Sequence, residues 1–349
     1  MTTSMRRWAG AIALTCLSAL TAACTVGDAK DNAAGTGAAA SADAVHIGLV
    51  QEARPDVEPW SLAWHDSLEA LKADDSDIEV TETFEAYDAT RAEPVIRQLL
   101  DGGADVMALS TFVLTDIAKV VADEYPDVPM VLTSFGVKKQ PNLSEATASY
   151  LEVGYSTCWL LARLSTDHRV GVVGAQEAPF EVESRQGCEL GAKAADPKAE
   201  ITVVNSNSFT DAQANREQVQ NLLSKGIDNI FLVSGTEDAV GGFRLCEQAG
   251  AHCVTWGGDA RQWAPTASVM TVVLDWQHVM ADLVEQARSG DLEAKSFDLT
   301  FGNKGLTIAG ADKSDAIDAD LLAEFQEMVA GLADESIELP ESSVHPGMR

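Results

Sequence analysis

The chain has 349 residues, of which 46% are hydrophobic and 22% charged, so it is long enough for two globular domains and too apolar to be disordered. Its 54 acidic residues outnumber 24 basic ones, giving a net charge of −30. That balance argues against nucleic-acid binding and against charge-driven docking on anionic lipid, because both need basic patches.

The first element in chain order is a predicted export signal. Arg6 and Arg7 precede an apolar run at residues 8–20 that is too short to span a bilayer as a stable helix. The run ends in Leu20-Thr21-Ala22-Ala23-Cys24, which resembles a bacterial lipobox with threonine where leucine is preferred. We therefore predict a lipoprotein signal peptide at 1–23 and a lipid on Cys24. An ordinary signal peptide cleaved near Ala23 is the alternative.

The next segment, residues 24–43, is a predicted flexible tether. It is rich in alanine, glycine, aspartate, serine and threonine and has no apolar periodicity. Such a tether would hold a globular body away from a membrane surface.

Four cysteines remain beyond the signal and the anchor: Cys158, Cys188, Cys246 and Cys253. An exported protein can hold disulfides, and four cysteines allow three pairings. Cys246 and Cys253 flank a predicted helix end and the next strand, so a local bridge between them is one candidate. Buried free thiols are the other possibility.

The body of the chain alternates short apolar strands with amphipathic helices. Strands are predicted at 45–50, 78–84, 105–109, 128–132, 170–173, 201–205, 229–233, 252–256 and 269–274. Helices are predicted at 59–73, 90–100, 112–124, 151–164, 180–195, 211–224, 239–249, 277–289 and 318–332. Repeated strand–helix units with continuously apolar strands predict an α/β fold of two lobes, each a parallel sheet flanked by helices.

Ligands of open parallel sheets bind beyond the carboxyl ends of the strands. The segments that follow the predicted strands are 51–60, 110–112, 174–180, 206–211, 234–236 and 257–262, together with Asp275. They carry aromatic residues beside carboxylates, a combination suited to planar or cationic ligands. We interpret Trp60, Phe112 and Phe209 as cleft residues, and Trp64, Phe180 and Trp256 as core residues.

Motifs for catalysis are absent from the sequence. There is no GxSxG, HExxH, P-loop or GxGxxG motif, and no pair among the six histidines has metal-ligand spacing on one helix. We expect a binding protein without catalytic residues, metal or cofactor.

Several stretches in a fixed order resemble the basic membrane protein family of lipoproteins. They are Leu99 to Val106, Glu124 to Val128, Tyr150 to Tyr155, Arg185 to Lys193, Asn207 to Asp211 and Trp256 to Gln262. These proteins are substrate-binding components of ABC importers, similar to bacterial purine nucleoside receptors. The resemblance implies a two-lobed type I periplasmic-binding-protein fold with a ligand cleft between the lobes.

The resemblance also implies a nucleoside site, carried over position by position. Its first and second base-stacking aromatics fall on Trp60 and Phe209, with Asp211 two residues after Phe209. Its aromatic after the third strand falls on Phe112. Its glycine-rich turn falls on Gly235 and Thr236, and its ribose-binding aspartate on Asp259, with Gln262 in the same loop.

Two positions depart from the family pattern. Ser61 replaces an amide-bearing residue of the family. Asp275 lies at or close to the position of a family lysine, so the charge there is reversed. A site with this aspartate would suit a cationic or aromatic cationic ligand.

Together these features predict a lipid-anchored, extracytoplasmic receptor that delivers a nucleoside to an ABC permease whose ATPase is a separate chain. We expect it to be a monomer. The alternatives are a receptor for another small aromatic or cationic solute, or a sensor feeding a membrane kinase. We expect lobe 1 at 44–148 plus 275–297, lobe 2 at 149–274 plus 298–340, and a tail at 341–349.

Overall fold

The computed structural model describes residues 44–136 and 140–341. The predicted signal peptide, Cys24, the tether and most of the predicted tail lie outside these residues. No helix in the described part of the chain is both long and apolar enough to span a membrane.

Twelve strands are present within the described residues. They are β1 (Val45–Val50), β2 (Ile78–Thr83), β3 (Val106–Leu109), β4 (Met130–Thr133), β5 (Leu143–Ala148), β6 (Arg169–Gly174), β7 (Glu200–Asn205), β8 (Asn229–Leu232), β9 (His252–Gly257), β10 (Ser268–Leu274), β11 (Ser296–Leu299) and β12 (Leu306–Ala309).

Nine α-helices alternate with these strands in the same part of the chain. They are α1 (Pro59–Asp74), α2 (Ala89–Asp101), α3 (Thr115–Glu124), α4 (Tyr150–Leu164), α5 (Pro179–Ala195), α6 (Ala212–Ser224), α7 (Glu237–Ala249), α8 (Gln277–Ser289) and α9 (Ala319–Ala333). Short 3-10 turns occur at Phe112–Leu114, Ala260–Gln262 and Ala311–Lys313.

The strands form two six-stranded sheets, one in each lobe. The orders are β11-β5-β4-β3-β1-β2 and β12-β10-β9-β8-β6-β7. Every neighbouring pair is parallel except β10 with β12. The prediction of two parallel sheets flanked by helices is therefore confirmed. The chain crosses between the sheets three times: after β5, after β10 and after β11.

Three strands were not predicted: β5, β11 and β12. β5 is completely buried although it contains Ser144, Glu145 and Thr147, so it lacks an apolar run. Its neighbours β4 and β11 supply the hydrogen bonds that make it a strand. β11 ends at Leu299, so this strand crosses the expected lobe boundary at residue 297. The lobe boundaries themselves remain a prediction.

The predicted helix at 112–124 is wrong in its first turn. Phe112–Leu114 is a 3-10 turn, and the α-helix begins only at Thr115. The Thr115 hydroxyl donates a hydrogen bond to the Phe112 carbonyl over 2.6 Å, which stabilises this tighter turn.

Helices α4 and α5 pack at very short distance in lobe 2. Gly154, Gly187 and Gly191 face backbone of the opposite helix, so their lack of a side chain permits the close contact. Disulfides join Cys158 of α4 to Cys188 of α5, and Cys246 of α7 to Cys253 of β9.

Candidate functional site

A cavity of about 100 Å³ lies between the lobes, at the carboxyl ends of their strands. Both sheets end there because parallel strands bring their carboxyl ends to one edge. Lobe 1 and the start of α4 contribute Glu52, Glu58, Trp60, Tyr87, Ser110, Thr111, Phe112, Val113, Thr133, Phe135 and Tyr150. Lobe 2 contributes Phe180, Phe209, Thr210, Ser234, Thr236 and Trp256.

Aromatic rings form most of the apolar cavity wall. Trp256 stands edge-on to Trp60, Tyr150 and Phe180, with ring centroids 5.7, 5.2 and 5.6 Å away. Phe180 is also 5.9 Å from Phe209. Such packing holds the rings in fixed orientations and offers flat apolar surfaces to a ligand.

Trp60 joins the two sides of the cavity. Its indole Nε1 donates a 3.0 Å hydrogen bond to the Ser110 carbonyl beyond β3. Its backbone N–H donates a 2.9 Å bond to the Gly235 carbonyl beyond β8. Next to it, the Gly258 N–H donates a 2.6 Å bond to the Pro59 carbonyl. The amino end of α1 is thus bonded to loops of both lobes.

Two carboxylates, Glu52 and Glu58, face the cavity. Glu52 is half-buried, and desolvation raises its pKa to about 7 against an opposing hydrogen bond from Thr111. Glu58 is 2% exposed; desolvation, then the charge of Glu52, raise its pKa well above the usual range. The Ser61 hydroxyl donates a hydrogen bond to Glu58, which partly opposes that rise.

Three buried polar groups in the cavity wall have no hydrogen-bond partner within the described residues. They are the Ser110 hydroxyl, the Thr133 hydroxyl and the indole N–H of Trp256. These side chains are 0%, 4% and 2% exposed. A buried polar group without a partner costs free energy, so a ligand that bonded to them would gain affinity.

Asp238 organises the lobe 2 side of the cavity. Its carboxylate accepts hydrogen bonds from the hydroxyls of Ser234 and Thr236 at 2.6 and 2.8 Å, and from Asn215 Nδ2 at 2.9 Å. Burial raises the pKa of Asp238, and these donors oppose the rise. The network orients Ser234 and Thr236, which line the cavity.

The structure brings together four of the ten predicted ligand-binding residues: Trp60, Phe112, Phe209 and Thr236. The other six lie outside the cavity lining. Ser61 donates a hydrogen bond to Glu58, and Gly235 adopts a positive φ of 64° in the loop before Thr236.

The remaining four are engaged elsewhere or exposed. Asp211 caps α6 by accepting hydrogen bonds from the N–H groups of Gln213 and Ala214. Asp259 pairs with Arg261, and Gln262 is exposed. The Asp275 side chain accepts a 2.9 Å bond from the Gln277 N–H at the start of α8. Local hydrogen bonds therefore engage all three of the carboxylates that were predicted to contact the ligand.

The sequence pattern missed Glu52 and Glu58 as individual residues, although both lie in the segment 51–60 that follows the first strand. Phe180 and Trp256 are buried, as interpreted, but they also line the cavity. Trp64 is fully buried and stacks on Trp276 with centroids 4.3 Å apart. No group of three or more potential metal ligands occurs in residues 44–136 and 140–341.

Known proteins share both this fold and parts of this sequence. A solved ABC transporter solute-binding protein from Conexibacter woesei superposes with a TM-score of 0.72 at 26% identity, covering 85% of this chain and 99% of that one. A purine-binding protein of Brucella abortus is 22% identical over 262 residues, which are 74% of this chain and 73% of that protein.

A third similar protein is from Haloferax volcanii and is named for ABC-transporter glucose binding. It is 25% identical over 238 residues, which are 68% of this chain but only 60% of that protein. The similarity therefore leaves a large part of the Haloferax protein unmatched.

Two mostly parallel sheets with a cavity between the lobes place the chain in the class of solute-binding proteins with the type I periplasmic-binding-protein fold. The chain belongs to the PnrA-like family of ABC transporter substrate-binding proteins, whose model matches residues 44–341. The resemblance to basic membrane proteins is thereby confirmed. This family and the Conexibacter protein are binding proteins and not enzymes, as the sequence predicted.

Proposed function

We propose that this protein is the extracytoplasmic receptor of an ABC importer and binds a nucleoside between its lobes. The observation that carries the proposal is the cavity whose aromatic walls come from both lobes, Phe112 and Phe209 among them. A planar base would pack against these rings, and hydroxyl groups of a sugar would reach the unpartnered Ser110 and Thr133.

Closure would follow from contact with both lobes. A ligand that touches lobe 1 and lobe 2 together stabilises the closed arrangement more than the open one. The closed form would then dock on a membrane permease, with an ATPase as a further separate chain. The name of the Brucella relative supports a purine as the base.

Calorimetric or thermal-shift titration of the full chain in detergent tests this proposal. We expect adenosine or guanosine to stabilise the protein, by about 2.7 kcal/mol at a hundredfold excess over Kd. Glucose serves as the comparison, since a relative is named for it. Stabilisation by glucose and by no nucleoside would contradict the nucleoside proposal.

We also propose that a lipid on Cys24 anchors the protein to the membrane. The support is the lipobox-like sequence before Cys24 and the polar segment after it. Cys24→Ser is expected to move the protein from the membrane pellet to the soluble fraction. Cys16→Ser is the matched control, since Cys16 lies within the predicted signal peptide. Retention of the Cys24 variant in the membrane would exclude this anchor.

A further inference from the structure

The charged side chains that line the cavity are all acidic. Glu52 and Glu58 line the cavity, and no lysine, arginine or histidine does among the described residues. No ion pair in residues 44–136 and 140–341 includes either carboxylate. Their hydrogen-bond donors are neutral: the Thr111 hydroxyl for Glu52, and the Ser61 hydroxyl and Glu237 backbone N–H for Glu58.

Further acidic groups surround this pair. Glu237, at the start of α7, raises the pKa of Glu58 by its charge, while its backbone N–H acts in the opposite direction. Glu85 and Tyr87 follow β2, and the pKa of Tyr87 is raised by desolvation and then by the surrounding carboxylates. Arg54 is a nearby cation that pairs with Asp56 and interacts with Glu85, but it does not line the cavity.

Desolvation disfavours the ionised forms of Glu52 and Glu58, and a ligand cation beside them would favour those forms. The same cation would lie against aromatic faces, which attract positive charge. The Ser110 and Thr133 hydroxyls and the Trp256 N–H lack partners within the described residues, so the cavity wall also holds polar groups that a polar ligand would satisfy.

Given the proposed function, we propose that Glu52 and Glu58 are specificity-determining residues that select a positively charged planar nitrogen heterocycle, such as the base of a cationic nucleoside. When ionised, the same pair disfavours anionic solutes. The cation pairs with the carboxylates and stacks on the aromatic wall.

Cation binding is then linked to proton release. In the free protein desolvation raises the pKa of Glu52 to about 7 and that of Glu58 well above its usual range, so both carboxyls keep their protons to higher pH than exposed glutamates do. A bound cation favours the ionised carboxylates, and the displaced protons pass to the buffer. Affinity for a cation should therefore rise with pH between about 5.5 and 8.

Four related solutes separate the effect of charge from that of ribose. Nicotinamide riboside is cationic and its 1,4-dihydro form is neutral; 1-methylnicotinamide is cationic without ribose and nicotinamide is neutral without it. We expect calorimetry on the full chain at pH 7.5 to show each cation binding at least about tenfold tighter than its neutral counterpart. Titration in two buffers of different ionisation enthalpy should show proton release for the cations alone.

Variants test whether the two carboxylates cause the preference for a cation over its neutral counterpart. Glu52→Gln and Glu58→Gln should each reduce it by about tenfold. Glu79→Gln, an exposed residue of β2, removes the same charge away from the cavity and should leave the preference intact.

Each outcome decides between the proposals. Equal or tighter binding of the neutral forms overturns the charge proposal and leaves the nucleoside proposal standing. If 1-methylnicotinamide binds as tightly as nicotinamide riboside, the ribose adds no affinity; that result overturns the nucleoside proposal and supports the charge proposal. If adenosine binds and none of the four does, the charge proposal fails alone. If no solute binds, both fail.

Discussion

Replacing Gly154 with alanine is expected to lower the free energy of unfolding by about 3 kcal/mol, because the new methyl group has no room between α4 and α5. It would collide with the Ser184 carbonyl oxygen and lie 2.8 Å from the Cys188 backbone nitrogen. Backbone atoms cannot rotate away, so the helices would have to separate. Urea unfolding followed by tryptophan fluorescence measures the change.

Gly331→Ala is the matched control for this prediction. Gly331 is also inside a helix, but an added methyl group would meet only side-chain atoms, of Ile337 at 3.0 Å and Ser336 at 3.2 Å. These can move, and alanine favours helix by about 1 kcal/mol, so the net change should stay within about 1 kcal/mol. If the two variants have the same free energy of unfolding, the close contact between α4 and α5 is not the reason for glycine at position 154.

Removing the Phe112 ring is expected to have the largest effect on ligand binding among changes that spare the fold. Phe112 lines the cavity but is 39% exposed, so Phe112→Ala should leave the melting temperature nearly unchanged. Loss of one stacking surface should weaken nucleoside binding by about 1–3 kcal/mol, or roughly 5- to 150-fold. Calorimetric titration with the nucleoside that binds wild-type protein gives the value.

Phe84→Ala provides the control for exposure. Phe84 follows β2 on the same lobe and is also 39% exposed, but it does not line the cavity. Its removal should leave affinity unchanged. Equal losses for the two variants, or no loss for Phe112→Ala, would show that the nucleoside does not contact Phe112.

Most of the secondary structure follows from local pattern. The central strands β1, β3 and β8 are short apolar runs, and the structure buries nearly every residue in them. Local pattern fails where pairing partners supply the stability. β5, with its buried Ser144 and Glu145, is a strand because of its neighbours in the sheet.

The candidate site was likewise predictable only in part. The ends of the apolar strands are visible in the sequence, so the pattern of strands is enough to locate the segments that form the cavity. Which side chains in those segments face the cavity depends on loop geometry. Asp259 pairs with Arg261, and Asp275 accepts a hydrogen bond from the Gln277 N–H, whereas Glu58, just before α1, lines the cavity.

The sequence by itself determined the alternating α/β architecture, the family and the sheet edge where the cavity lies, because each depends on periodicity or on short ordered motifs. Only the tertiary structure decided which residues meet there. It joined Trp60 to loops of both lobes and placed two carboxylates in an aromatic cavity without a basic partner among the described residues. These contacts are between residues far apart in the chain, so they depend on tertiary packing, which local propensity does not encode.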